Sequence, residues 1–196
     1  MAVTDDLSQV LVEIMLQVGA TNNVFREMDG FLVLMSVLST IQDHHQTQDD
    51  HTAAIETTRL VFVVLAEATT NHLENSGFFR NRLGYESLGI ALQGLASDPQ
   101  TVDETMGFLL SLALSDFSLS GLFTSIRGAQ GDDLDVRLTE FQSRLGTIHR
   151  PEVIRILWDV AFRDTTSIRY GMFKLFEELS YVSHRNQGVL SALGLG

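Results

Sequence analysis

His44, His45 and His51, with Asp49 and Asp50 among them, form the one histidine cluster in the 196-residue chain. Neutral imidazoles and carboxylates are zinc or nickel ligands. The i, i+4 spacing that would fix ligand geometry on a helix is absent, and the stretch from Asp43 to Asp50 reads as a polar loop. A solvated loop is therefore expected there, and a small helical metal-binding protein or enzyme using His44, His45 and His51 is the alternative. His72, His149 and His184 stand alone and read as capping or surface residues. Asp132, Asp133 and Asp135 after Gly131 suggest calcium. A calcium-binding loop needs oxygen ligands at positions 1, 3, 5, 7, 9 and 12 and glycine at 6. Counted from Asp133, position 5 is Arg137, position 6 is Leu138 and position 12 is Arg144, so the pattern fails. Glu177 and Glu178 are neighbours on one helix and point to different sides, which separates them as an acid–base pair. There is no cysteine, hence no thiolate ligand, cysteine nucleophile or disulfide. Lys174 is the sole lysine, and no nucleophile-elbow, P-loop or dinucleotide motif occurs. No catalytic residue and no cofactor are expected.

What remains is recognition chemistry. Arg155, Arg163, Arg169, Tyr170, Lys174 and Tyr181 fall on the last two long helical patterns, and Arg and Tyr are residue types favoured at binding hot spots. Trp158 sits among Ile154, Leu157 and Phe162 and is expected to pack in the core, with an interface anchor as the other reading. Charge is uneven. Residues 1–126 carry 16 acids against 4 bases, residues 127–196 carry 9 of each, and the chain totals −12. That sign repels phosphate backbones, so nucleic acid is not an expected partner. The longest apolar runs, Phe31–Met35 and Leu60–Ala66, are far shorter than the about 20 residues of a spanning helix. Nor is there a basic amphipathic stretch for anionic lipid, so membrane contact would be indirect. The expected location is the cytoplasm.

The elements that would position these residues are helices. Leu7, Val10, Leu11, Ile14, Met15 and Val18 make an i, i+3, i+4, i+7 stripe between a Thr4 cap and a Gly19 stop. Short and long helices are expected over Asn22–Met28 and Phe31–Ile41. A long one runs over Thr52–Thr70, whose middle, Leu60–Ala66, is apolar all round and reads as a central element. Short turns around Gly77 follow, then Tyr85–Leu95, a helix opened by Pro99 that reaches Leu114, Asp116–Arg127, a loop at Gly128–Asp133, and Leu134–Leu145. Pro151–Phe162 is next, and a last long helix is capped by Thr165 or Thr166. Gly188 precedes a fragmentary end, Val189–Leu195. Strand patterns are missing, so stacked antiparallel helices are the economical fold.

A repeat runs through this order. Phe25-Arg26-Glu27-Met28-Asp29-Gly30-Phe31 aligns with Phe79-Arg80-Asn81-Arg82-Leu83-Gly84-Tyr85 at an offset of 54, with Leu34 and Leu88 also matching. Asn22 or Asn23 and Asn75 stand upstream, and Asn186-Gln187-Gly188-Val189-Leu190, followed by Gly194, looks like a third, shifted copy. A short helix, a glycine turn and a longer apolar helix cannot bury their face alone and must stack on neighbours.

This grammar resembles an armadillo- or HEAT-like repeat, which implies an all-α superhelix. Asn23-Val24-Phe25-Arg26-Glu27-Met28-Asp29-Gly30-Phe31-Leu32 more narrowly resembles the armadillo-like region of the large BEACH-domain proteins of the beige, neurobeachin and ALFY group. The resemblance implies one armadillo-like domain over residues 1–196, a piece of a longer chain, with a sub-boundary at the 128–133 loop. It further implies a non-catalytic scaffold for vesicle trafficking or autophagy, peripheral to endomembranes, binding protein partners or other domains of its parent. The armadillo-like, GTPase-binding regulatory domain of formins is the second resemblance.

Overall fold

The computed structural model describes residues 21–42, 48–70, 72–97, 101–121, 132–162 and 166–195. These contain helices and no strand, which makes the fold all-α. The expected helix Leu7–Val18 and its Thr4 cap lie outside the described residues. The chain divides into two compact units, Met1–Thr101 and Val102–Gly196. The loop expected at 128–133 falls within the second, and its residues 128–131 are outside the described set.

In the first unit the order is α1 (Thr21–Glu27), α2 (Gly30–Gln42), α3 (Gln48–Thr69), α4 (Leu73–Phe78), a π-helical turn (Phe79–Leu83), α5 (Gly84–Ala91) and α6 (Gln93–Ser97). The apolar centre of α3 is the core of this unit: Leu60, Val61, Phe62, Val64, Leu65 and Ala66 are all buried. Helix α3 starts at Gln48, so the expected polar loop Asp43–Asp50 is corrected at its end. Asp49, Asp50 and His51 open a helix, where acidic residue types suit the positive end of the dipole. Gly77 is also corrected. It lies inside α4, and the helical path continues to Leu83 before it turns. The single helix expected over Tyr85–Leu95 breaks at Leu92 (φ −99°, ψ −2°), a kink that leaves Leu92 and Leu95 both buried.

The second unit contains α7 (Val102–Leu114), helical backbone at 119–121, α8 (Asp132–Arg144), α9 (Pro151–Phe162), α10 (Thr166–Val182) and α11 (His184–Ala192). Helix α7 is buried on every side from Thr105 to Leu114. It starts at Val102, not at Pro99, and Thr101 just before it gives its hydroxyl to Leu95 O (2.7 Å). A Cβ on Gly107 would stand 3.0 Å from Ser120 O, so glycine is what lets the 119–121 backbone come so close. Asp132 and Asp133, expected in a loop, form the first turn of α8, and α9 runs from Pro151 to Phe162 as its pattern predicts. Gly188 lies within α11 rather than before a fragmentary end, because Ser183 caps that helix by accepting the Asn186 N–H (3.2 Å).

Candidate interaction surface

The repeat is physical. Phe25 meets Phe31 edge-on at a centroid distance of 5.1 Å, and Phe79 meets Tyr85 in the same way at 5.0 Å. Phe31 then lies 5.5 Å from Phe79, so the first copy's second ring packs on the second copy's first ring. Arg26 adds a polar tie. Its Nη1 donates to Glu74 Oε2 (3.0 Å) and to Asn75 Oδ1 (3.3 Å).

The asparagines carry the third copy. Asn75 takes its N–H to His72 Nδ1 and gives Nδ2 to Ala68 O at 2.9 Å, seven residues upstream. Asn186 takes its N–H to Ser183 Oγ and gives Nδ2 to Leu179 O, again at 2.9 Å and seven residues upstream. Both side chains are wholly buried. Asn186 reaches further: its Oδ1 accepts Ile148 N–H (2.8 Å) and its Nδ2 also donates to Gly146 O (3.1 Å).

The copies differ in one residue of turn. Asp29 (φ 57°) is left-handed four residues after Phe25, and Gly194 (φ 73°) is left-handed four residues after Leu190. In the middle copy Gly84 (φ 75°) comes five residues after Phe79, and its N–H bonds to Phe79 O. The π-turn is therefore a one-residue insertion relative to the other two copies. Sequence alignment equates Gly30 with Gly84, yet they serve different ends. Gly30 is needed because a Cβ would sit 2.4 Å from the Phe25 ring, Gly84 because of its backbone.

In the second unit, α9 and α10 pack together and present an outer surface. Burial of Val153, Ile154, Ile156, Leu157, Val160 and Ala161 leaves Arg155 and Asp159 on the exposed face of α9. On α10, burial of Leu175, Phe176 and Leu179 leaves Lys174, Glu177 and Tyr181 exposed on one face. Tyr181 is 71 % exposed, and its hydroxyl stands 3.4 Å from Glu177 Oε1. Trp158 is half-buried, stacked on Phe162 at 4.0 Å and 5.2 Å from Phe176, so it packs the seam between the two helices.

Of the residues expected to bind a partner, Arg155, Lys174 and Tyr181 are on the outside. No hydrogen bond or ion pair among the described residues joins the three to one another. Arg163 lies outside the described residues. Arg169 and Tyr170 lie on the backbone of α10, with side chains outside the described set.

The charges sort themselves by use. Arg137 pairs with Asp133 (3.0 Å) and Arg144 with Glu140 (2.8 Å), each one turn away on α8. Arg150 is buried, and its Nη1 donates to Leu112 O (2.8 Å) and Ser115 Oγ (2.7 Å) at the negative end of α7. Arg155, Lys174 and Arg185 are exposed and have no ion pair among the described residues. Sequence reasoning passed over Arg185, although it sits directly before the Asn186 that marked the third copy. It also passed over Arg150, and only the preceding position to Pro151 hinted that it borders a helix start.

The other expected sites gain nothing. His44 and His45 lie outside the described residues, His51 is on α3, and no group of three metal-ligating side chains occurs among the described residues. Among the described residues no helix is long and apolar enough to cross a membrane.

Repeated helix–turn–helix units, joined by ring packing and buried amides and offering a charged outer face, define a helical-repeat protein. The profile of the family of armadillo-like repeats matches residues 3–196, and the chain belongs to that family. Comparison with curated proteins and with solved structures gives no match.

Proposed function

We propose that the chain is a non-catalytic protein-interaction scaffold, and that the α9–α10 face with Arg155, Lys174 and Tyr181 is where a partner or another domain of a longer parent docks. Arg163, Arg169 and Tyr170, which lie between them in the sequence, are further candidates for partner contact. Armadillo-like repeats generally serve protein interaction, which is the ground for the scaffold reading. The observation that carries the placement is the contrast in charge use. Arg137, Arg144 and Arg150 are consumed inside the unit, whereas Arg155 and Lys174 face outward beside an exposed tyrosine. Asp159 and Glu177 are exposed beside Arg155 and Lys174, so a segment of mixed charge that can pack on an aromatic ring is the partner this chemistry suits. The repeat's likeness to BEACH-domain proteins supports a role in membrane traffic or autophagy, in the cytoplasm at endomembranes.

The test places a photo-crosslinking amino acid at Tyr181 in cells and identifies the captured protein by mass. Lys174→Glu and Arg169→Glu together are expected to reduce capture at least about fivefold, roughly 1 kcal/mol of binding, with the melting temperature unchanged. A lowered melting temperature, or capture indifferent to the charge reversal, would overturn the placement. Capture of a small GTPase would replace the BEACH-type reading with the formin one.

A further inference from the structure

The first unit carries a surface of a different kind. Helix α1 is anchored on one side only. Phe25 is buried against Phe31, and the Arg26 guanidinium is held by Glu74 and Asn75. With those two residues turned inward, Val24, Glu27 and Met28 are left outside, about one helical turn apart. Val24 is 47 % exposed and Met28 74 %. Helix α2 begins in the same way: Phe31, Leu34 and Met35 are buried, and Leu32 (50 %) and Val33 (47 %) are exposed. The two helices meet at Asp29, whose carbonyl accepts both the Leu32 N–H (2.9 Å) and the Val33 N–H (3.1 Å). Single exposed apolar residues are ordinary on a protein surface. Large apolar side chains standing outside at 24, 28, 32 and 33, with a methionine the most exposed, have the make-up of a binding surface.

The charge around them has one sign. Arg26, the only base between Thr21 and Gln42, is bonded to Glu74 (3.0 Å). Glu27 and Asp29 are exposed, and neither has an ion pair among the described residues.

That sign decides the occupant. A second copy in a two-fold pair would bring Glu27 and Asp29 against the same acids, on a chain of net charge −12. Anionic lipid and nucleic acid are repelled for the same reason. A basic segment meets no such repulsion, and apolar residues at helical spacing on it would cover Val24, Met28, Leu32 and Val33. The flexible, polarizable thioether of Met28 adapts to side chains of different shape. We propose that the α1–α2 face docks a basic amphipathic helix of a partner protein, independently of the α9–α10 face.

The test uses the full chain and a fluorescent synthetic helix of leucine and lysine, amphipathic and about five turns long. Fluorescence anisotropy should show binding, and a helix of the same pattern with glutamate for lysine should bind at least about tenfold more weakly. Met28→Ser with Leu32→Ser should weaken binding of the lysine helix at least about fivefold. Glu27→Gln with Asp29→Asn should do so too and should flatten the salt dependence. This pair removes only two of the chain's 25 acids, so a loss of that size reports the face and not the overall charge. Asparagine tolerates the left-handed backbone at residue 29 (φ 57°), and all four side chains are exposed, so circular dichroism should be unchanged. Lys174→Glu should not weaken binding, which separates this result from that of the α9–α10 face. Equal affinity for the glutamate helix, or binding indifferent to either pair of substitutions in a folded chain, would overturn the proposal. A dimeric mass abolished by Met28→Ser with Leu32→Ser would overturn it as well, because a second copy would then occupy the face.

Discussion

Asn186 is the place where one substitution tests most of the reasoning about the second unit. Its carboxamide is fully buried and serves three backbone groups from two segments: Ile148 N–H and Gly146 O in the loop before α9, and Leu179 O in α10. Asn186→Leu keeps the volume close and removes all three. A buried backbone group left without a partner costs about 1 kcal/mol or more, so the loss should be about 3 kcal/mol. With a urea dependence of about 1.5 kcal/mol per molar, the midpoint should fall by about 2 M. Asn186→Asp separates shape from bonding. It retains the acceptor for Ile148 but turns the donor toward two carbonyls into a third acceptor, so it should be at least as damaging. Trp158 is the single tryptophan and lies in the same unit, so its fluorescence during urea unfolding reads the right part of the chain. Ser183→Ala removes only the cap and should cost about 1 kcal/mol. A midpoint shift below 0.5 M for Asn186→Leu, taken on the scale of about 2 M derived above, would refute the claim that this amide ties the unit together.

Three glycines predict effects of opposite sign, checked by thermal unfolding. Gly30→Ala puts a methyl 2.4 Å from the Phe25 ring and should cost about 2 kcal/mol by forcing the Phe25–Phe31 pair apart. Gly84→Ala meets no atom within 4 Å but must hold φ 75° and ψ 149°, for about 1–2 kcal/mol. Gly188→Ala sits in open space inside α11 and should stabilise by about 0.5 kcal/mol. Finally, the hydrogen bond from Arg59 holds the Glu56 carboxyl below its usual range, against partial desolvation. Its contribution is thus complete above about pH 4.5 and fades as pH falls through the depressed value. Both side chains are largely solvent-exposed, so Glu56→Gln should remove only about 0.3 kcal/mol at neutral pH and flatten the acid limb of the stability profile.

How much of this was legible in the residues depended on which physical signal each one carried. Pro151 and the apolar spacing of α9 give its two ends directly, because a proline start and a 3.6-residue stripe are local facts. Glycine misled where it was read as a break. Gly77 and Gly188 are helical because caps at His72 and Ser183 start their helices just upstream, and a glycine inside a capped helix costs too little to end it. Aligned glycines hid a difference of mechanism, since the extra residue of the π-turn moves the left-handed position from Asp29 in one copy to Gly84 in the next. Arg150 was illegible for another reason. A buried arginine is recognised by the carbonyl it covers, and Leu112 is 38 residues away. The partner-binding residues fall between these cases. Spacing alone sufficed to place Lys174 and Tyr181 outside, but that Arg137 and Arg144 pair within their own helix while Arg155 does not could not be read from spacing, because Asp159 stands one turn from Arg155 just as Asp133 and Glu140 stand one turn from theirs.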